Sequence, residues 1–347
     1  MSFALECGVS GPDAVVTLAH GGGGRTARTL LQTLILPALG IDPAAPGLDA
    51  AVLDAPAGCR LVFSTDGAVV RPWSFPGGDL GTLAVYGTVN DLAMMGARPL
   101  ALSLSLILEE GTPLDTVRAV LESMARAGER AGVRVVTGDT KVVERGRGDG
   151  VYAAVAGIGA VGEWAVLGPR EVRPGDAVVL SGDVGRHGVA VLSVREGLAF
   201  ESPVESDCAP VTELVMALLE AGVEVHALRD PTRGGLAAAL NEMALDAGVA
   251  ITVEEAAVPV CEGVEGACAL LGLDPFSMAC EGRLVAFVPE AEADRAVAIL
   301  RSHPLGAGAT PIGWVEAAPA GRVTLVTPLG TRRIMDFLSG EALPRIC

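Results

Sequence analysis

Aromatic residues are scarce in this chain: Phe, Trp and Tyr make up 3% of its 347 residues. With so few rings, Ala, Val and Leu must fill the interior, with Gly where backbones approach closely. Half of the residues are hydrophobic, so core material is ample, and the length suits two domains or one large one. Positive charge is also short. Lys and Arg number 25 against 42 Asp and Glu, leaving a net charge of −17. Such a surface repels a phosphate backbone, which argues against a nucleic-acid partner. No window is apolar for long enough to span a bilayer, so no membrane association is expected. Met1 to Glu6 has no basic start and no apolar run behind it, so no secretory signal is expected either. The seven cysteines are odd in number and none forms a CxxC pair, so neither a disulfide framework nor a zinc site is indicated. The expectation is a cytoplasmic protein with most thiols buried as small apolar groups.

The chain ends Pro344-Arg345-Ile346-Cys347. Pro344 cannot extend a helix, so the segment from Glu341 is expected to be extended, with a reach of about 23 Å at roughly 3.3 Å per residue. Cys347 is then either the last letter of a frayed end or a thiol on an arm.

Leu18 to Arg25 reads LAHGGGGR and precedes a helical pattern at Leu30, Leu31, Leu34 and Ile35. The glycines are either a linker or a close cradle for phosphate before a helix start. Leu61 to Thr65 reads as a strand that Asp66-Gly67 ends. Asp79 is an N-cap for a helix over Leu80 to Met95, closed by Gly96. Asp91 lies inside that apolar helix, where an acid needs either a cation or a neighbouring element to cap. Leu100, Leu102, Leu104, Leu106 and Leu108 alternate as a strand, and Thr112-Pro113 opens the next helix as cap and first residue. Val133 to Thr137 is a strand running into Gly138-Asp139-Thr140-Lys141, which is either a phosphate and Mg²⁺ corner or a charged hairpin. Gly168 to Asp176 is the linker candidate. Strands and helices then alternate again, with Thr232 as a possible cap of the helix ending at Ala247. Arg322 to Val326 is the last strand, and Glu281 lies in the turn Ala279-Cys280-Glu281-Gly282.

Taken together, LAHGGGG, FSTD ending at Asp66, FPGGDLG from Phe75, GTVNDLAMMGA from Gly87, VTGDTKVVERG from Val136, LRDPTRGG ending at Gly235, CEGRLV ending at Val285 and the terminal PRIC resemble the HypE family of hydrogenase maturation proteins. The terminal PRIC and GDTKVV are the specific pieces. The wider superfamily of aminoimidazole ribonucleotide synthetases, selenophosphate synthetases and thiamine monophosphate kinases shares the Gly run and the acids.

The resemblance implies a two-domain PurM-like α/β (α+β) fold. It assigns 1–165 to an N-terminal ATP-binding and dimerisation domain, 166–338 to a C-terminal α/β domain and 339–347 to a flexible tail. It implies a homodimer formed through the N-terminal sheets, with ATP at the resulting clefts. The activity implied is ATP-dependent dehydration of an S-carboxamide on Cys347 to an S-cyanide. A carbamoyltransferase, HypF, loads the thiol, and the cyanide passes to iron held by HypC and HypD. ATP and Mg²⁺ are the implied cofactors. His20, Gly22, Gly23, Gly24, Asp66, Asp91, Asp139, Thr140 and Lys141 would bind nucleotide, with Asp66, Asp91 and Asp139 around the metal. Lys141 would stabilise developing charge, and Glu281, or else Glu144, would act as base. Two other readings stand beside this one. Cys7-Gly8 invites comparison with selenophosphate synthetases but lacks an accompanying lysine, and a non-catalytic carrier would need only the tail.

Overall fold

The computed structural model describes residues 14–22, 24–43, 50–54, 56–162, 167–198 and 204–336. Cys347, Cys7 and Gly23 lie outside these residues. The chain begins with three short helices, α1 (Leu18–Gly21), α2 (Gly24–Leu30) and α3 (Leu36–Ala38), the last two joined by a π-helical turn over Leu31–Ile35. Next come β1 (Arg60–Ala68), the two-residue strands β2 (Ser74–Phe75) and β3 (Gly78–Asp79), α4 (Leu80–Met94) and β4 (Ala97–Glu109). The first half closes with α5 (Leu114–Arg130), β5 (Val135–Val143) and β6 (Val151–Val161). Strands β1, β6, β4 and β5, in that order, form a four-stranded mixed sheet.

The second half contains β7 (Asp176–Leu180), α6 (Arg186–Arg195), α7 (Thr212–Glu220), β8 (Ala227–Arg229), α8 (Gly235–Ala247) and β9 (Ala250–Glu254). It continues through α9 (Glu262–Leu271), β10 (Val285–Pro289), α10 (Ala293–Arg301), β11 (Thr310–Glu316), β12 (Arg322–Val326) and β13 (Arg332–Ile334). Its seven strands form one mixed sheet, ordered β13-β12-β9-β11-β7-β10-β8. The core of α8 packs with Val178 and Leu180, while α7 and α10 pack with Val179 and Ala286, so alternate residues of the strands feed two apolar layers.

Helix α4 is the centre of the first half. Asp79 caps it: its Oδ1 accepts from Thr82 N at 2.9 Å and from Ser123 Oγ at 2.7 Å. The helix is buried on nearly every side, because the four-stranded sheet lies against one side while α5 and α7 cover others. Gly81 lets α5 come close. A Cβ there would lie 2.5 Å from Val120 O and 2.9 Å from Met124 N.

Several element ends differ from the sequence expectation. Asp66-Gly67 does not end β1, because their partners Val155 and Ala154 carry the ladder through to Ala68. Strand β5 does not stop before Gly138. It runs on through Lys141, paired in parallel with β4, and Gly138 is there for close approach: a Cβ would meet Leu104 O at 2.5 Å. Pro113, rather than Thr112, is the N-cap of α5, because the Thr112 hydroxyl is turned to Gly150 O, 3.2 Å away. Helix α8 is capped by Gly234 at φ 77°, with Thr232 left outside it. The segment from Gly168 is tied down: Gly168 N donates to His226 O and Gly175 N to Val315 O. A further strand, β13, follows β12.

Gly81→Ala should force α4 and α5 apart. Overpacking of this kind costs about 1–3 kcal/mol, read as a lower midpoint in chemical denaturation. An unchanged midpoint would mean that the helices separate freely here.

Candidate functional site

The register of the four-stranded sheet sorts the candidate residues onto two faces. Asp66 pairs across to Val155, Leu104 and Gly138, the row that faces α4. Gly87 on that helix leaves room for it, since a Cβ there would lie 2.4 Å from Asp66 Oδ2. Asp139 lies in the next row, with Ser105, Ala154 and Gly67, and Lys141 in the row of Ile107 and Tyr152. Successive residues of a strand point to opposite faces, so Asp139 and Lys141 share the open face. Within one chain the three acids expected around a metal are therefore not one cluster.

The open-face group borders a cavity of about 630 Å³. His20, Gly21, Gly24, Arg28 and residues 137–141 line one part of it, and Leu31, Ile35 and Leu39 give it an apolar wall. Gly21 is needed for this approach, because a Cβ would lie 2.7 Å from Val142 N on β5. His20 is buried, and burial lowers its pKa, keeping the ring neutral. Its Nδ1 accepts from Thr17 N at 3.0 Å, so the ring proton is on Nε2. Asp139 Oδ2 is 2.7 Å from Lys141 Nζ, and its Oδ1 accepts from Thr140 N at 2.8 Å. The Lys141 hydrogen bond, followed by that from Thr140, lowers the Asp139 pKa.

The second group surrounds a cavity of about 110 Å³ at the junction of the two halves. Asp66 and Asp91 enter it from the first half, and Asp230, Thr232, Arg233 and Glu281 from the second. Ser64 Oγ donates to Asp91 Oδ2 at 2.7 Å. Burial raises the Asp91 pKa, against the pull of that hydrogen bond, and Asp66 adds repulsion. Burial, then Asp91, pushes Asp230 up to about 6. Glu281 is 4% exposed, and no hydrogen bond reaches its carboxyl from the described residues. Burial, then Asp230 and Asp207, raises its pKa well above the carboxylate range. The neighbouring thiols of Cys208 and Cys280 are also pushed up, mainly by burial. Glu144 is exposed just beyond β5 and lines neither cavity.

Four carboxyl groups crowd this small space with one guanidinium, so a hard cation would relieve their repulsion. Among the described residues no three His, Cys, Asp or Glu side chains are already gathered as metal ligands. Phosphate oxygens and water would have to complete the coordination, as is usual for Mg²⁺. Sequence reasoning missed Asp230 as a member of the site. Its signal is an acid at the end of β8, the position that marks Asp66 near the end of β1.

The raised acids carry a cost that depends on pH. Between about pH 4 and about pH 6 native Asp230 keeps a proton that the unfolded chain has released, so stability falls as pH rises through that window. The shift from 3.8 to about 6 corresponds to a loss on the order of 3 kcal/mol. Without nucleotide or metal, Asp230→Asn should melt above the unsubstituted protein at about pH 7.5, and the gap should close by about pH 4. Thermal scans across pH check this, and a gap that does not vary with pH would contradict it.

Comparison with known proteins shows the family to which this fold belongs. The AIR synthase related protein family matches in both parts, its N-terminal domain over residues 47–161 and its C-terminal domain over 173–326. The carbamoyl dehydratase HypE of Cupriavidus necator is 49% identical over 332 residues, covering 96% of this chain and 95% of the relative. A crystal structure of hydrogenase maturation protein HypE in complex with ATP superposes with a TM-score of 0.90 at 46% identity, covering 95% of this chain and 99% of that one. The chain in a HypE–HypF complex superposes with a TM-score of 0.78 at 43% identity, covering 81% of this chain and 92% of that one. With identity of this level along almost its whole length, the chain belongs to the HypE carbamoyl dehydratase family, within the AIR synthase related proteins.

Proposed function

We propose that this protein uses ATP to dehydrate an S-carboxamide carried on Cys347 to an S-cyanide, the source of a cyanide ligand for hydrogenase iron. The observation that carries this reading is Glu281: a buried carboxyl with no hydrogen-bond partner among the described residues, lining a small polar cavity, in a chain of this family. The larger cavity suits the nucleotide. Leu31, Ile35 and Leu39 offer an apolar wall to the base, while Gly21, Gly24 and Lys141 border the space for phosphates. Asp66, Asp91 and Asp139 are the acids that would hold Mg²⁺, which neutralises phosphate charge when bound.

An amide oxygen is a poor leaving group until a phosphoryl group is transferred to it from ATP. Lys141 then stabilises the charge on the transferring group. Transfer to the oxygen, with loss of one N–H proton, gives an imino phosphate and ADP, and Glu281 takes the remaining N–H proton as the C–O bond breaks, leaving the nitrile carbon on sulfur and releasing phosphate. Burial suits Glu281 to this task, since it raises the carboxylate's basicity and keeps out the water that would hydrolyse an activated amide. Cys347 needs no special acidity, because a separate carbamoyltransferase of the HypF type loads it. An iron scaffold of the HypC–HypD type accepts the cyanide. The five described cysteines are all free, which suits work in a reducing cytoplasm.

Two chains complete the site in this reading. Strands β1 and β5 are opposite edges of the sheet. The open face carries Phe63, 70% exposed, and Leu61, 56% exposed. A two-fold axis along the strands covers that apolar face with a second copy and lays β5 of one chain, with Lys141, over β1 of the other.

Two outcomes check the proposal. Phe63→Glu should give a monomer by light scattering and weaken Mg·ATP binding at least tenfold by calorimetry; a wild-type protein that is monomeric at micromolar concentration would exclude this dimer. Glu281→Gln should still be carbamoylated at Cys347 and bind ATP, yet lose water from the carboxamide roughly 10²-fold more slowly. Intact-mass measurement follows both steps. Deleting Cys347 should abolish loading with ATP binding intact. Dehydration at the normal rate in Glu281→Gln would remove Glu281 as the base and leave Glu144 as the next candidate.

A further inference from the structure

Among the described residues nothing makes a hydrogen bond that would aim the Glu281 carboxyl, so its direction is set by its backbone. That backbone is held at both ends. Glu281 N donates to Asp207 Oδ1 at 3.2 Å, and Gly282 N donates to Asp207 Oδ2 at 3.3 Å. On the other side, the Glu281 carbonyl accepts from Asn90 Nδ2 at 3.3 Å and from Ala209 N at 3.3 Å. Asn90 also donates to Ala209 O at 3.0 Å and accepts from Val211 N at 2.9 Å. Its amide is thereby spent entirely on backbone groups of the second half, although Asn90 itself belongs to α4 of the first half. Asp207 is fixed in turn: its side chain is fully buried, and Arg283 Nε lies 4.0 Å from its Oδ2 while Arg283 Nη2 reaches Asp183 at 2.5 Å. No slack is left at Gly282, where a Cβ would fall 1.8 Å from Asp207 O.

We propose that Asn90 and Asp207 are positioning residues that clamp the Glu281-Gly282 backbone across the junction of the two halves and so aim the Glu281 carboxyl into the acid cavity. This rests on the reading of Glu281 as the base. Asn90 precedes Asp91 on α4, so one turn of helix both supplies an acid of the cavity and fixes the distance to the base opposite. Four hydrogen bonds on the two peptide groups that flank Glu281 keep its side chain within the small angular range that proton transfer needs.

A double-mutant cycle tests the clamp. The tail is loaded by the carbamoyltransferase, and loss of water is followed by mass in a single turnover. Asn90→Ala should slow dehydration about tenfold or more, with loading and the KM for ATP within about twofold of wild type. In a Glu281→Gln background the same change should have no further effect, because no carboxylate remains to be aimed. Equal slowing in both backgrounds would reduce Asn90 to a structural residue and overturn the proposal, as would a wild-type rate in Asn90→Ala. If Glu281→Gln alone keeps the wild-type rate, the base itself is misassigned, which is a separate failure that removes what the clamp aims. Should Asn90→Ala not fold, Asp207→Asn carries the same cycle: it keeps one acceptor oxygen and the side-chain size but loses the charge that binds both N–H groups.

Discussion

A carboxyl group inside a protein is unfavourable unless something compels it to stay there. At Glu281 the compulsion is applied to the main chain rather than to the acid. The loop from Ala279 to Gly282 is buried, and its peptide groups are bonded to Asn90, Asp207 and Ala209. Satisfied peptide groups offset the unfavourable side chain, which is left basic and unpaired at the cavity wall. The same loop requires α4 to be buried from end to end, since Asn90 can meet the second half only if that helix is sandwiched between the sheet and α7.

The division of the site follows from the sheet. Asp66 and Thr65 are neighbours along β1, and that single step in sequence takes a side chain from one face to the other. The acid cavity is bounded by Asp66 and Asp91 on the covered face, whereas the larger cavity sits at the β5 edge, where Leu104 and Leu106 of the covered face line it together with Asp139 and Lys141 of the open one.

Much of this was legible in the sequence. Asp79 and Gly96 bracket α4 to within a residue, and the alternating leucines give β4 because an amphipathic strand has a period of two. The family was legible because its motifs are turns and strand ends, where side-chain chemistry is least replaceable. What was hidden depends on distant partners. Gly138 looked like a strand end and is a contact with Leu104; Thr112 and Thr232 looked like caps and are not. The meeting of Asp230 and Glu281 with Asp91 requires the two halves to be docked, and local pattern carries no trace of docking. Asp207 gave no signal at all, since a buried acid that serves peptide N–H groups looks in sequence like any loop acid.

The burial that raises Glu281 also silences the sulfurs beside it. Cys208 and Cys280 have thiol pKa values pushed far above their usual range, and Cys268 is raised to about 11. Thiolate is the nucleophilic form of cysteine, so at neutral pH these groups are inert toward an acyl donor. In the proposed reaction chemical selectivity is therefore partly a matter of subtraction: the interior withdraws these three sulfurs from reaction, and a donor enzyme is left to discriminate against thiols nearer the surface, such as the half-buried Cys59 and Cys261.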